Sequence, residues 1–505
     1  MTSGSEFEGQ FVIADGRLPE RAGSKRILLT SLCVDVFERL ETVEVVQRDG
    51  SRIGILLGTP IDPDERKVVV DRYVVDADIG ETTSFDELDE IIEKHIYRLV
   101  GSFAFVLDVP QARRLYLDAN GTKSAVYSAT DHVAAATAAL VLPTADIYFE
   151  RLDRSLHAAL RVDKDGWFPA GLTAHDGVKR LICNHYLDFD TWTCVRHWPR
   201  APMMRDEDPE KAIDTIVDQA RRAIVALSKA GETNLALTAG HDTRLLLACS
   251  KELRSDVGFV TVGAPGAELD VKRARELSLR FGLRHQTLPY VEANSAQMQV
   301  WQKKVSHGIT GSNLRLHPSV RPLEDTIFVG GVGGEVGRGF LWLGSDDHTK
   351  LDADGIITRL KLPLHPRLRL AVDAWLRPLR DLEGLLILDL AFMELRVSSW
   401  AFAQAYALPR YTEVNPLISR KSYQAMLSLP PSVRRNNGMI HSCVRSAWPE
   451  TLDLPINKYG DWRDKYEKAR DAVFDPRRAL RKLHQLAWVR TRNALSRNKS
   501  TKPAI

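Results

Sequence analysis

The chain has 505 residues, 44% hydrophobic and 27% charged, a balance that fits a soluble globular protein of two or three domains. A net charge of only +3 argues against a protein-wide field for nucleic acid. The five cysteines (Cys33, Cys183, Cys194, Cys249, Cys443) form no Cys-x-x-Cys pair, which argues against a disulfide framework or a zinc site and for free thiols in a reducing cytoplasm. From Arg26 to about Arg200 the pattern predicts short strands, RILLTSLCV, VEVVQR, RIGILLG, KVVVDRYVV, GSFAFVLDV, RRLYLDAN and AVYSAT, with one helix around Asp86 to Arg98. Such spacing points to a β-rich sandwich. After Pro199 the period changes: Ile213, Ile216, Val217, Ala220, Ile224 and Leu227 share one face of a helix over Glu210 to Lys229. Strands and helices then alternate (LALTA, VGFVTVG, HQTLPY, TIFVGGV), as in a parallel α/β sheet. Beyond about Asp352 the reading is mostly helical, with loops at Pro409 to Pro416 and Leu454 to Trp462. No stretch reaches the roughly 18 apolar residues of a spanning helix, and MTSGSEFEGQ lacks the basic-then-apolar pattern of a secretion signal.

The most informative stretch is LALTAGHDTRLLLA, Leu235 to Ala248, in which an apolar strand runs through a small-residue turn directly into an amphipathic helix. Turn amides and the positive end of the helix dipole point the same way, so the segment is suited to hold an anion. Thr238, Ala239, Gly240, His241, Asp242 and Thr243 resemble the S-G-G-x-D-S turn of the N-type ATP pyrophosphatases, which grips the pyrophosphate of ATP. Small residues let the backbone approach phosphate, the hydroxyls donate to it, and Asp242 suits Mg2+, which prefers hard oxygen ligands shared with phosphates. Ala239 stands where the pattern has a second glycine, a substitution that matters only if the backbone there needs positive φ.

A second segment, IFVGGVGGEVGRGF from Ile327 to Phe340, ends a hydrophobic strand in glycines around one carboxylate. Loops at strand ends are where α/β sheets bind ligands. Gly331 and Gly333 are candidate pyrophosphate contacts, and Glu335 is the candidate second metal carboxylate opposite Asp242.

Together these segments resemble the asparagine synthetase superfamily, which includes β-lactam synthetases and lasso peptide cyclases. The resemblance covers most of the chain. Gly101 to Ser128, with Asp118, Gly121, Lys123 and Tyr127, is similar to the end of a class II glutaminase domain, and Gly171 to Pro199 to the stretch that closes it. Asp270, Ala274, Gly282 and His285 fall where the family's second sheet unit has them, and PINKYG, Pro455 to Gly460, resembles the loop of the family's essential lysine, here Lys458. The resemblance implies an α+β glutaminase-like (Ntn-type) sandwich over residues 1–200. An α/β parallel-sheet ATP-pyrophosphatase (PP-loop) domain with a helical C-terminal part would follow over 201–462, and then a basic tail over 463–505. That tail holds thirteen Lys and Arg against four Asp and Glu, with Leu480, Leu483, Ala487 and Trp488 on one face of an expected helix.

Two departures shape the functional expectation. Class II glutaminases use an N-terminal cysteine as nucleophile, whereas Thr2 follows the first methionine here, so the sandwich reads as a glutaminase relic with a structural role. In the glycine loop, Val332 stands where family members place a side chain that helps deprotonate the attacking amine; Glu394 in FMELRVSSW is the candidate replacement base.

The resulting expectation is a cytoplasmic, ATP- and Mg2+-dependent ligase that adenylates a small-molecule or peptide carboxylate and joins it to an amine. Thr238, Gly240 and Thr243 would cradle pyrophosphate, Asp242 and Glu335 would hold the metal, and Lys458 would offset negative charge. The alternatives are ammonia-dependent amidation of sugar acids for surface polysaccharides and a non-catalytic scaffold. Adenylation of an RNA base is disfavoured by the near-neutral charge outside the tail, and no nucleic-acid partner is expected. A homodimer is a candidate assembly, and the loops Ser306 to Leu316 and Leu341 to Thr349 are candidates to shape the substrate pocket.

Overall fold

The computed structural model describes residues 6–15, 21–200, 203, 208–342, 351–408 and 410–464. The expected basic tail from residue 465 on, including Leu480 to Trp488, and Thr2 lie outside these residues. The protein is a mixed α/β chain with several sheets. Residues up to Leu452 form one compact unit and Asp453 begins a second. Among the described residues no helix is long and apolar enough to cross a membrane, and all five cysteines are free thiols.

The first part of the chain builds two sheets stacked face to face. One runs in the order Lys179–Arg180, Val126–Ser128, Val133–Ala135, Phe11–Asp15, Leu32–Phe37, Ser24–Leu28, antiparallel throughout. The other runs Thr193–Arg196, His185–Asp188, Ala112–Leu117, Val100–Val109, Arg52–Asp62, Thr42–Gln47, Asp71–Val75, antiparallel except for its last pair. Alternation along the strands sorts the side chains into layers. Leu57, Ala104 and Val106 point inward against Ile13, Val34 and Val36 of the facing sheet. Their neighbours Leu56, Phe103, Phe105 and Leu107 point outward onto Leu88 and Ile92 of the helix Phe85–His95. On the opposite outside, Val12, Val126 and Ala135 pack against Leu140, Val141 and Tyr148. The result is a four-layer helix–sheet–sheet–helix block.

The expected strand from Arg26 is two strands, parted by a turn at residues 29–31. The strand expected from Lys67 is likewise broken, because Asp71 sits at φ 57. Phe11–Asp15, which runs through the middle of its sheet, was not among the expected strands.

The second half opens with α1 (Pro209–Ala230), whose start is set by Pro209 at the first helical position and by Asp208, which accepts from the amides of Glu210 and Lys211. Five parallel strands follow, numbered here for this sheet alone: β1 (Thr233–Ala236), β2 (Gly258–Gly263), β3 (His285–Pro289), β4 (Ile327–Val329) and β5 (Thr412–Val414). Their order is β3-β2-β1-β4-β5. Helices α2 (His241–Cys249) and α3 (Glu268–Phe281) connect the first three strands. The fifth strand corrects the expected loop at Pro409 to Pro416: three residues pair with β4 in parallel, a partner too distant in sequence to be read locally. Because the chain steps from β1 outward to β3 and then returns to the other side of β1, the connections diverge between β1 and β4. That divergence opens a crevice at the carboxyl ends of these two strands, where ligands bind in such sheets.

The two halves share one core. Trp301, Val305, Leu314, Phe402 and Tyr406 of the second half are buried in the cluster that fills the space between the sandwich sheets. Polar contacts cross as well. The Tyr423 hydroxyl donates to Asn120 Oδ1 at 2.7 Å and Trp167 Nε1 to the Leu395 carbonyl at 2.8 Å. Asp118 organises the loop that presents Asn120: it accepts from the amides of Asn120, Thr122 and Lys123 and from the Thr122 hydroxyl.

Candidate functional site

Both informative sequence segments meet at the switch point. The turn after β1 delivers Gly240 as the cap of α2, at φ −71 and ψ 165, so the first amides of a nine-residue helix face the crevice end. Thr238 and Thr243 close the turn: their hydroxyl oxygens lie 2.8 Å apart and the Gly240 amide donates to Thr238 Oγ1 at 3.0 Å. Ala239 is fully buried and is absent from the positive-φ residues, so the missing glycine costs the turn nothing. Its amide donates to Asp270 Oδ1 at 2.9 Å, which ties the turn to α3. His241 is half-buried beside His441, with ring centroids 5.9 Å apart.

After β4 the glycine loop packs directly on Asp242. A Cβ built on Gly334 would lie 2.1 Å from Asp242 Oδ1, and one on Gly331 would lie 3.2 Å from Asp242 Cβ. Only bare backbone fits there. Gly333, at φ 111, donates its amide to Glu335 Oε2 at 3.1 Å, and this fixes the carboxylate at the start of a single helical turn, Val336–Arg338. The loop is braced from β5: the Val332 amide donates to Asn415 Oδ1 at 3.1 Å, and Asn415 Nδ2 donates to Glu413 Oε1 at 3.2 Å. Burial pushes the Glu413 carboxyl up to about 7, against the lowering effect of its hydrogen bonds from Asn415 and Tyr411.

Asp242 and Glu335 converge. One nitrogen of the Arg338 guanidinium lies 2.7 Å from Asp242 Oδ2 and 3.7 Å from Glu335 Oε1, so the two oxygens are no further apart than those contacts allow. The side chains of Asp242, Glu335 and Arg338 are 17%, 24% and 14% exposed. Burial, then the neighbouring Glu335 charge, pushes the Asp242 carboxyl up to about 7, with Arg338 opposing. Asp242 Oδ1 is buried without a hydrogen-bond partner among the described residues. An unsatisfied, buried carboxylate oxygen beside a second carboxylate fits a divalent cation. Among the described residues no cluster of three or more His, Cys, Asp or Glu could hold a metal, so an ion here would draw its remaining ligands from phosphate and water, the habit of Mg2+.

A second cation faces this corner. Arg396 ends a π-helical turn, Ala391–Arg396, and its guanidinium lies over the rings of Phe340, Trp167 and Phe392 at 4.9, 5.3 and 5.9 Å. Burial lowers its pKa, with Glu335 as the opposing charge. A cleft of about 620 Å3 opens at the carboxyl ends of β2 and β3, lined by Lys164, Tyr290, Glu292, Thr310 and Arg315 among others. The expected pocket loop Ser306 to Leu316 does line it; most of the companion loop, from residue 343 on, lies outside the described residues.

Glu394 is elsewhere. It is fully buried and accepts two bonds from Arg196, at 2.8 and 2.6 Å, one from Asn184 Nδ2 at 2.9 Å and one from Trp375 Nε1 at 2.6 Å. Burial alone would raise its pKa, but the Arg196 charge and these hydrogen bonds outweigh it and hold the carboxylate below its ordinary value. A carboxylate with both oxygens engaged and its proton affinity reduced is a poor base, and we correct the expectation to a structural one. Arg244, next to the turn in sequence, is fully buried and donates to the Thr451 carbonyl. Lys458 lies in the second unit and is exposed, in the loop whose Tyr459 and Gly460 amides bond to Asp464. Arg338 and Arg396 escaped the sequence reading; the Glu-x-x-Arg spacing of Glu335 and Arg338 on one helical turn was the available signal for the first.

Comparison with known proteins adds little. No family model and no curated protein matches the chain. Among solved structures, the glutamine phosphoribosylpyrophosphate amidotransferase of B. subtilis, complexed with ADP and GMP, is 10% identical and covers 66% of this chain and 72% of its own, with a TM-score of 0.19. A structure titled as the allosteric regulatory enzyme of purine biosynthesis is 8% identical, covers 72% of this chain and 73% of its own, and also has a TM-score of 0.19.

Proposed function

We propose that this protein is an ATP-dependent synthetase that activates a carboxylic acid as its acyl-adenylate and transfers the acyl group to an amine. The observation that carries the proposal is the convergence of Asp242 and Glu335, from separate strand ends, beside the Thr238–Thr243 turn at the switch point of a parallel sheet. In the first step a carboxylate oxygen attacks the α-phosphorus and the bond to pyrophosphate breaks. In the second, an amine nitrogen attacks the acyl carbon, the bond to AMP breaks, and the nitrogen passes a proton to solvent water.

The α2 amides and the hydroxyls of Thr238 and Thr243 are suited to hold the departing pyrophosphate. Asp242 and Glu335 would hold Mg2+, whose charge offsets that of the leaving group. Arg396, stacked on three rings and facing Glu335, suits the incoming carboxylate. Lys458 enters the proposal on the sequence resemblance alone, and the sandwich is assigned a structural role without glutaminase activity.

Pyrophosphate release is the test. Purified protein with ATP, Mg2+ and a panel of carboxylic acids, with and without ammonium, is expected to release pyrophosphate only with its own acid, and Asp242→Asn should abolish that release. Protein that binds no nucleotide with any divalent metal would refute the proposal. A non-catalytic scaffold is the second reading, favoured by the Arg338 guanidinium seated between the two carboxylates. Nucleotide binding with no acid-dependent pyrophosphate would identify it.

A further inference from the structure

We infer that Arg338 is an exchangeable internal cation: it neutralises the Asp242–Glu335 pair while nucleotide is absent, and yields both carboxylates to a divalent ion only when a polyphosphate arrives with it. This rests on the metal reading of that pair given above and adds its regulation.

The geometry is that of an occupant rather than a fixture. The helical turn from Glu335 carries Arg338 back over both carboxylates, and Gly339 at φ 59 ends the turn immediately after it. A guanidinium binds a carboxylate most firmly as a two-pronged fork. Here a single nitrogen makes one short bond, 2.7 Å to Asp242 Oδ2, and the same atom is 3.7 Å from Glu335. Among the described residues the other terminal nitrogen makes only a long contact, 3.4 Å to Asn437 Oδ1. Among the described residues, neither Arg338 Nε nor Asp242 Oδ1, both buried, has a hydrogen-bond partner. One positive charge is thus spread over two acidic groups with polar atoms left unsatisfied on each side, an arrangement that costs stability and that a bridging divalent ion would relieve.

The same geometry forbids a bare ion from taking the place cheaply. Displacing Arg338 alone would leave a guanidinium unpaired in a largely buried position. A polyphosphate bound at the α2 N-terminus removes that obstacle, because phosphate oxygens accept the guanidinium fork. Metal and polyphosphate therefore bind as one event, each raising the affinity for the other.

The test uses the full chain and Mn2+ alone as probe, with free Mn2+ followed by electron paramagnetic resonance. Titrations are run with and without a non-hydrolysable α,β-methylene analogue of ATP. For the wild type, the analogue should tighten Mn2+ binding about tenfold or more, within the usual range of coupling between sites. For Arg338→Met, Mn2+ without nucleotide should bind about tenfold tighter than to wild type, and most of the nucleotide enhancement should vanish, since the coupling being removed is of that order. Arg338→Lys, which keeps a cation at the carboxylates, should stay close to wild type. Arg338→Gln serves the same comparison if the Met variant does not fold. The inference is overturned if the neutral variants bind Mn2+ no tighter than wild type while Asp242→Asn abolishes nucleotide-dependent Mn2+ binding; the metal reading then stands. If no form binds Mn2+ even with the analogue, the metal reading falls and takes the inference with it.

Discussion

Removing the charge of Glu394 separates two accounts of this residue by measurement. Glu394→Gln keeps the size of the side chain but turns one acceptor into a donor that faces the Arg196 and Trp375 donors. It also leaves Arg196, only 13% exposed, without its counter-charge. Breaking a buried ion pair by removing one partner costs about 3–5 kcal/mol, and unmaking hydrogen bonds to a charged group costs about 1.5–3 kcal/mol each. These overlap in the same contacts, so the expected loss is about 3–5 kcal/mol, a large share of the roughly 5–15 kcal/mol that holds a typical domain together. Denaturant unfolding followed by tryptophan fluorescence reads it, because Trp375 itself bonds to Glu394. Replacing the pair by Arg196→Met with Glu394→Leu should recover much of the loss, since apolar side chains of similar volume carry no desolvation cost. A Glu394→Gln protein as stable as wild type, yet devoid of acid-dependent pyrophosphate release at a temperature where it is folded, would refute the structural assignment and restore the residue as a base.

Three further outcomes are expected. Gly334→Ala places a methyl 2.1 Å from Asp242 Oδ1, so it should abolish nucleotide-dependent metal binding while lowering the melting temperature only modestly; unchanged binding in calorimetry would show that the loop does not need to approach Asp242. Arg396→Met keeps the ring stacking volume and removes the charge, so it should raise KM for the acid by tenfold or more, about 1.4 kcal/mol, and leave KM for ATP alone; equal effects on both substrates would contradict its assignment.

The last concerns pH. Burial, with His307 adding to it, lowers His175 to about 3, and burial, with Arg196 adding and Glu394 opposing, lowers His185 to about 4, from an ordinary 6.5. The unfolded chain therefore takes up these protons first, and stability is lost as pH falls from 6.5 towards 4, at up to about 1.4 kcal/mol per pH unit per histidine. The raised carboxyls of Asp242 and Glu413 act in the opposite sense over the same range, so the histidine effect is read as a difference: as pH falls from 7 to 5 the urea midpoint of His175→Gln should rise relative to that of wild type, and a difference that does not change with pH would contradict the burial argument.

What the sequence reveals about this molecule follows the range of its interactions. The Thr238–Thr243 turn and the Gly331–Glu335 loop were legible as strand-end turns because a strand, a turn and a helix start adjoin in the chain and such geometry is built from neighbours. Three strands of the parallel sheet announced themselves as apolar runs, and HQTLP was read from its place in the strand–helix alternation. The fifth, TEV, has one buried apolar residue and exists only because β4 lies beside it. Phe11–Asp15 was a readable apolar run left unread. Glu394 was misassigned because its partner Arg196 is 198 positions away, and no local pattern reports such a pair. Ala239 looked like a defect only while its backbone angle was unknown.

The sharing of one hydrophobic interior across residue 200 bears on how this chain can change over time. Trp301, Phe402 and Tyr406 fill space between the two stacked sheets, and Asn184 and Arg196 from the sandwich satisfy Glu394 and Arg420 on the other side. Deleting the N-terminal block would uncover aromatic surface and strand charges in the remainder, so the half that carries the parallel sheet cannot be trimmed free. On this account the two-sheet block and the parallel sheet can vary only together, because each completes the interior of the other.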